Sequence, residues 1–417
     1  MKNSLCYNKK LRVSSALWPL SIGVIFLMYK SNCILFVRPI PESLVFLVAF
    51  ISFVIYFRVN ISELIKTSLF KFVSIFFVNA ILWYDKFIVG TFSILGYICT
   101  CVTILGATVL VLLDDKKKQW ILSSFISCTQ FIVAIGLFGW ILYLLNVSLP
   151  HYTDLSDPYY VHTIYYLFNL NGLPEFQIVP RFAGSFLEPG HLGTMCVFLL
   201  YINRFNLRKK GNIVLLIGTL LSFSLAAYGL LVGALLIVLY QRHKYLWLSM
   251  LLGVFLGIGL FSMAYNDGDN LLNIAIVGRL EMTDDGDIAG NNRTSMAFDS
   301  TYERFLKSNE IWTGVGSKAF GVRGDGSDNI TIGCASYKRY FFLRGIFGSS
   351  LIVIFLTLYC FYYHSSWSWG FYIIYVVANL IRDYPTMEMW MYLYLLAIPY
   401  LSNIQKQQSI KIIREYV

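Results

Sequence analysis

Long apolar runs recur along the whole chain and are separated by short polar segments. Most runs reach the length of a membrane-spanning helix, which needs about 20 predominantly apolar residues. The pattern predicts an all-α polytopic integral membrane protein with about 12 transmembrane helices. We expect the spans near positions 17–36, 42–57, 69–84, 87–113, 120–146, 192–205, two short helices within 213–240, 245–264, 340–360, 367–381 and 388–403.

The run from Ile213 to Tyr240 decides the span count. Its 28 residues would form one helix of roughly 42 Å, against a hydrocarbon core of about 30 Å. Basic residues flank both ends, so both ends belong on the same side of the membrane, and a single crossing cannot satisfy that. We therefore expect a break near Ser222 to Ala226. Eleven or thirteen spans fit the same pattern if this run is divided differently.

Two polar stretches are long enough to be substantial loops. We interpret residues 1–417 as one polytopic membrane domain whose outer loops are 147–188 and 265–339. The first loop is rich in tyrosine and holds His151 and His162. The second is the longest polar stretch of the chain and is predicted to contain a helix near Asp299 to Ser308.

Composition and charge support a membrane protein and argue against a nucleic-acid partner. The chain is 57% hydrophobic and 13% charged, which is typical of a polytopic protein. The net charge of +10 comes from basic residues clustered in short loops, which is the positive-inside pattern, and it places both termini inside. The first apolar run follows Lys9, Lys10 and Arg12 but has no small-residue cleavage site, so we expect an uncleaved first span.

The stretch RFAGSFLEPGHLG, from Arg181 to Gly193, concentrates polar groups at the predicted start of a span. Pro189 suits the first helical position, so Glu188 falls near the cap and the free N–H groups after it attract anions. On the functional interpretation, Arg181 binds a phosphate and Glu188 or His191 takes a proton from an attacking hydroxyl. The alternative is an interfacial arginine, a capping carboxylate and a histidine at the water boundary.

Further basic residues lie on the predicted outer side. Arg279 and Arg293 could bind a phosphate, or could neutralise the acidic residues between them. A second group begins the span near 340 and is either an interfacial anchor or part of a positive outer field; its members are Tyr337, Lys338, Arg339 and Arg344. The acidic stretch DDGDIAGNN lacks the terminal Glu of a calcium loop, so we expect no metal site.

Several motifs together resemble a known family. RFAGSFLEPGHLG before a span, followed by GRLEM, GNNRTSMAF, NEIWTGVGS and SYKRYFFLRGIFGSSL, is similar to bacterial O-antigen polymerases (Wzy-type) within the O-antigen polymerase and ligase superfamily. The resemblance covers about 180–350, and the rest of the chain matches only in hydropathy.

The resemblance implies a multi-pass glycosyltransferase of the bacterial inner membrane with its active site facing the periplasm. Such an enzyme moves a growing glycan from undecaprenyl diphosphate to a sugar hydroxyl of a new lipid-linked repeat unit, without metal, cofactor or nucleotide sugar. Its partners would be undecaprenyl-diphosphate-linked oligosaccharides and membrane lipids, with a chain-length regulator and a flippase as candidates. The implied catalytic residues are Glu188 and His191, and the implied substrate-binding residues are Arg181, Arg279, Arg293, Tyr337, Arg339 and Arg344.

One departure from the family pattern and one comparison rank the alternatives, and a second departure removes an expected cation. The ligase branch carries a histidine where this chain has Ala335, Ser336 and Tyr337, which favours polymerase over ligase. Many members also carry Ser-Arg in the broken run, whereas Ser222 is followed by Phe223. A transporter would place ionisable groups inside its spans, yet the predicted spans hold almost none apart from Lys30. We therefore order the functions as polymerase, ligase and transporter.

Overall fold

The computed structural model describes residues 17–30, 40–64, 68–90, 93–154, 161–171, 180–265, 296–320, 336–382 and 386–416. The candidate phosphate ligands Arg279 and Arg293 lie outside these ranges, as do the basic residues before the first span and parts of both predicted outer loops.

The described residues form helices and one small sheet. The helices are α1 (Leu17–Lys30), α2 (Glu42–Leu64), α3 (Leu69–Tyr84), α4 (Ile94–Leu112), α5 (Asp115–Leu144), α6 (Pro189–Ile202), α7 (Lys210–Leu221), α8 (Leu225–Gln241), α9 (Tyr245–Ala264), α10 (Met296–Leu306), α11 (Ser336–Tyr362), α12 (Ser366–Ile381) and α13 (Glu388–Tyr416). The antiparallel strands β1 (Tyr152–Asp154), β2 (His162–Ile164) and β3 (Asn169–Asn171) pair in chain order.

The helices fit the predicted membrane class. By length and composition, 6 helical segments of the described chain can cross a membrane: Glu42–Asn60, Leu69–Val89, Ile94–Leu112, Asp115–Leu144, Tyr245–Ala264 and Tyr337–Tyr362. Five further apolar helices are shorter, namely α1, α6, α7, α8 and α12. A polytopic helical protein is therefore confirmed, while the count of twelve spans stays a prediction. The three short strands are the departure from an all-α fold.

Several predicted boundaries agree with the structure and others differ. The broken run is confirmed, because α7 ends at Leu221 and α8 begins at Leu225 after Ser224, whose hydroxyl caps α8 by accepting the Ala227 N–H. The predicted loop helix is also confirmed, as α10. The predicted division between the third and fourth spans came too early. The chain continues past α3 as a π-helical turn, Asp85–Val89.

The ends of three helices meet the middle of α13 at one level. The Tyr201 hydroxyl, near the end of α6, donates to the Trp367 carbonyl of α12 at 3.1 Å. The Gln241 amide, at the end of α8, donates to the Ser366 carbonyl at 2.7 Å. The Ser366 N–H in turn donates to the Gln405 side chain of α13 at 2.9 Å. Arg204 and Arg242 follow α6 and α8, so we name this end of the bundle the basic side.

The small sheet lies at the opposite end of the bundle. Its β3 is tied to the segment before α6, since the Asn169 N–H donates to the Gly184 carbonyl at 2.8 Å. The residue just before β3 packs on α5, where a Cβ at Gly139 would lie 3.1 Å from the Phe168 ring. The 30 residues of α5 span about 45 Å, which exceeds a core of about 30 Å. The far end of α5 therefore supports the sheet, and through it the chain that leads into α6.

Candidate functional site

The helices that carry the candidate site are too short to cross the membrane core. From the shared level on the basic side, the 14 residues of α6 reach about 21 Å and the 16 residues of α12 reach about 24 Å, at about 1.5 Å per residue. A hydrocarbon core of about 30 Å would extend roughly 6–9 Å further. With the shared level placed at one boundary of the core, the far ends of α6 and α12 stop below the opposite boundary, and we call this position the recess.

Three ionisable side chains meet in this recess, and we name them the recess cluster: Glu188, His191 and Arg382. The Arg382 guanidinium, directly after α12, forms an ion pair with the Glu188 carboxylate at the N-cap of α6. The same Nη1 atom lies 3.4 Å from Nε2 of His191. Both partners of the ion pair are largely buried, at 15% and 22% side-chain exposure. The cluster thus joins one cation and two groups that can accept a proton.

The local sequence explains why Glu188 lies where it does. Pro189 occupies the first helical position, as predicted, and Glu188 before it is extended. The Glu188 carbonyl accepts the N–H groups of His191 and Leu192, at 3.0 and 3.2 Å, and so starts the helix. Its carboxylate makes no side-chain capping bond and pairs with Arg382. Each charge lies at the helix pole that favours it, with the anion at an N-terminus and the cation at a C-terminus.

A glycine makes room for the arginine. A Cβ at Gly190 would overlap the Arg382 guanidinium, which lies across the first turn of α6. Any other residue at position 190 would force Arg382 to move. The glycine in the predicted EPGH motif is therefore part of the site geometry.

Arg181 lies at the break between α7 and α8. Its Nε atom donates to the Ser222 carbonyl at 3.2 Å. The break lies beside α6, because a Cβ at Gly193 would lie 2.5 Å from the Ala227 Cβ and 2.9 Å from the Ser222 Oγ. The break itself contains no arginine, since Ser222, Phe223 and Ser224 separate α7 from α8. The structure places the guanidinium of Arg181 there.

Arg344 has its own set of protein partners. Its Nε donates to Asp85 at 2.5 Å, its Nη2 donates to the Thr386 hydroxyl at 3.3 Å, and its guanidinium lies 4.2 Å from the centre of the Tyr340 ring. Its side chain is only 5% exposed. Arg344 therefore ties α11 to the turn after α3 and to the start of α13, and its predicted contact with substrate stays a prediction.

The other predicted ligands lie near the start of α11. Tyr337 is exposed and Arg339 is half-buried. Lys338 between them pairs with Asp299 of α10 at 2.7 Å. In the ranges that the structure describes, no three His, Cys, Asp or Glu side chains gather into a group that could hold a metal ion.

The sequence interpretation missed Arg382. A signal was present, because Arg382 stands between two apolar runs on the predicted outer side, where the positive-inside rule disfavours basic residues. The same argument had singled out Arg339 and Arg344. What the sequence could not supply is the pairing with Glu188, 194 positions earlier in the chain.

Comparison with known proteins adds no relative to this picture. No family model matches the chain, and no similar protein was found among curated proteins or among solved structures.

Proposed function

We propose that this chain is a membrane-embedded glycan polymerase that joins repeat units carried on undecaprenyl diphosphate. One observation carries the proposal. The recess cluster brings a guanidinium, a carboxylate and an imidazole together at the start of a buried helix, on the side of the bundle opposite the basic loops. The family resemblance of residues 180–350 supports the same function.

The proposed reaction needs an anion-stabilising group and a base. The hydroxyl oxygen of the incoming repeat unit attacks the anomeric carbon of the growing glycan, and the bond from that carbon to the diphosphate oxygen breaks. The hydroxyl proton passes to Glu188 or His191, and undecaprenyl diphosphate leaves as an anion. A guanidinium aimed at the developing negative charge lowers the barrier, and more so in a site of low dielectric constant.

The ion pair between Arg382 and Glu188 suggests how donor binding and base release are linked. In the structure the Arg382 guanidinium donates to the Glu188 carboxylate. A diphosphate oxygen that binds Arg382 would displace Glu188, because both anions compete for the same donors. The carboxylate would then be available to accept the proton only when the donor is in place. Arg181 beside Ser222 is a second candidate phosphate ligand, and Arg279 and Arg293 are candidates from the second loop.

The depth of the recess suits a lipid-linked substrate. The polyprenyl chain stays in the bilayer while its diphosphate must reach protein cations near the membrane boundary. A site roughly 6–9 Å below that boundary lies within reach of the diphosphate. There the attraction between phosphate and guanidinium is screened less than in water.

The test is the surface glycan profile of a bacterial strain that lacks the gene and is complemented with wild type or Arg382→Gln. A polymerase predicts lipid carrying a single repeat unit in the deletion strain and in the variant, and long chains with wild type. Polymer stranded on the carrier lipid would identify a ligase. Loss of all surface glycan would identify a transporter. Arg58→Gln is the matched control, because Arg58 is an exposed arginine of α2 outside the recess cluster.

A further inference from the structure

A polar cavity lies on the basic side, at the end of α6 opposite the recess cluster. Its volume is about 640 Å³, and the α6–α7 connection, the end of α8 and the starts of α12 and the polar part of α13 surround it. Four basic residues line it: Arg204, Arg208, Lys209 and Arg242. The described residues that line the cavity include no Asp or Glu.

Hydrogen bonds hold the cavity wall in a fixed shape. The buried Asn212 side chain accepts from Asn203 at 2.8 Å and from Gln130 at 3.1 Å, and it donates to the Asn206 carbonyl at 2.8 Å. Amide side chains thus brace the whole connection between α6 and α7. The basic residues of this connection are therefore presented by a preformed loop.

Two residues of this loop adopt an unfavourable backbone conformation. Arg204 and Phe205 have φ of 54° and 48°, in the left-handed region that costs a non-glycine residue about 1–2 kcal/mol. Their N–H groups bond back to Tyr201 and Leu200 at 2.7 and 2.8 Å and end α6. The reversal brings the basic residues that follow against the end of α8.

Arg204 and Arg242 are in contact at the cavity through the Arg204 backbone. Arg242 Nη2 donates to the Arg204 carbonyl at 2.5 Å. The Arg204 guanidinium carbon lies 5.6 Å from the centre of the Trp367 ring. Burial lowers the pKa of Arg204, Tyr400 opposes this shift, and the charge of Arg242 adds to it. A bound anion would relieve this repulsion.

The positive-inside rule explains basic residues in this loop but not their arrangement. Orientation requires only positive charge near the span ends. It requires neither a cavity nor a braced loop with two left-handed residues.

We propose that the cavity binds a phosphate group, supplied by the headgroup of an anionic membrane lipid or by a free phosphate compound. The cavity has the volume of a small-molecule site, and basic pockets between helices on this side of a membrane suit anionic headgroups. Trp367 and Tyr400 line it as interfacial aromatics.

The test uses the full chain purified in neutral detergent. The midpoint of thermal unfolding is measured with added dioleoylphosphatidylglycerol, sodium pyrophosphate or, as the zwitterionic control, dioleoylphosphatidylcholine. We expect phosphatidylglycerol to raise the midpoint by about 3 °C or more at saturation. The double variant Arg204→Gln/Arg242→Gln should weaken the apparent affinity about 30-fold, since each basic residue adds to the attraction for an anionic headgroup.

Two further variants keep the test decisive. Arg58→Gln/Lys116→Gln removes the same charge at exposed positions outside the cavity and should bind phosphatidylglycerol like wild type. Arg208→Gln/Lys209→Gln changes exposed cavity residues and should weaken binding even if the first double variant fails to fold.

The probes separate the two sources of phosphate. A shift with phosphatidylglycerol but not pyrophosphate identifies a lipid headgroup, and a shift with pyrophosphate identifies a free phosphate compound. The proposal is overturned if neither probe raises the midpoint above the phosphatidylcholine control. It is also overturned if the control variant loses as much affinity as the cavity variants.

Discussion

Arg382 and Glu188 form an ion pair although 194 positions separate them in the chain. The pair joins the C-terminal end of α12 to the N-terminal end of α6. Each residue lies at the helix pole that stabilises its charge. The pair therefore holds the start of α6 and the end of α12 at one level. His191 lies beside the Arg382 guanidinium.

Replacement of Arg382 should remove the anion-binding group. We expect Arg382→Gln to reduce polymer formation about 100-fold or more, the scale observed when a donor to a developing anion is lost. Arg382→Lys keeps the charge but not the planar fork, and it should keep partial activity. Glycan chain length in membranes with matched protein abundance measures both. Full activity of Arg382→Gln would exclude Arg382 from the site.

A charge swap separates the structural role of this ion pair from its chemical role. Glu188→Arg/Arg382→Glu can restore an ion pair, although each charge then lies at the unfavourable helix pole. We expect the double variant to accumulate better than either single reversal but to make no long chains, since the base and the phosphate ligand have exchanged places. Immunoblotting and the glycan gel measure the two effects. Long chains in the double variant would contradict the assigned roles.

Gly190→Ala tests the packing of the guanidinium. The added methyl group overlaps Arg382, so we expect polymer formation to fall about 10-fold, the effect of a misplacement worth roughly 1.4 kcal/mol. Gly229→Ala is the matched control, because no heavy atom lies within 4 Å of a Cβ built there on α8. Equal activity of the two variants would show that Arg382 need not lie across this turn.

Arg344→Gln should act on stability. It leaves Asp85 without its guanidinium partner in a setting where Arg344 is 5% and Asp85 27% exposed. We expect a loss of about 2 kcal/mol, below the value for a fully buried pair because Asp85 is partly solvated. Thermal unfolding in detergent measures it, and Asp85→Asn/Arg344→Gln should recover part of the loss. If stability is unchanged but chains disappear, Arg344 is the substrate ligand that the sequence predicted.

Single cysteines test the break between α7 and α8. In a background without other cysteines, Phe223→Cys at the exposed tip of the turn should react with a membrane-impermeant maleimide added from the periplasmic side. Arg208→Cys and Lys244→Cys should react only from the cytoplasmic side. Labelling of 208 and 244 from opposite sides would show that the run crosses the membrane an odd number of times.

Much of the fold follows from hydropathy, because length and flanking charge limit what an apolar run can do. The break at 222–224 was predictable from the run's length and its two basic flanks, and Pro189 marked the start of α6. The strands were not predictable, because three residues each are too few to show a period-two pattern.

The site was predictable only in part, because side-chain pairing depends on the three-dimensional arrangement. Glu188 and His191 were singled out together and do lie together. Their partner Arg382 was missed, and the partner of Arg344 was missed because Asp85 was taken as a turn between two spans. Both pairs join helices distant in the chain, and no local pattern specifies such contacts.

The short hairpin of α7 and α8 also bears on biogenesis. Both of its ends lie on the basic side, since Arg242 contacts the Arg204 carbonyl, and we predict that it adds an even number of crossings. We therefore expect that a nascent chain whose hairpin fails to insert still orients every later helix correctly. Such a chain would lack the hairpin's contacts, among them the Ser222 carbonyl that holds Arg181, an error that late insertion of the hairpin can repair without turning over the rest of the protein.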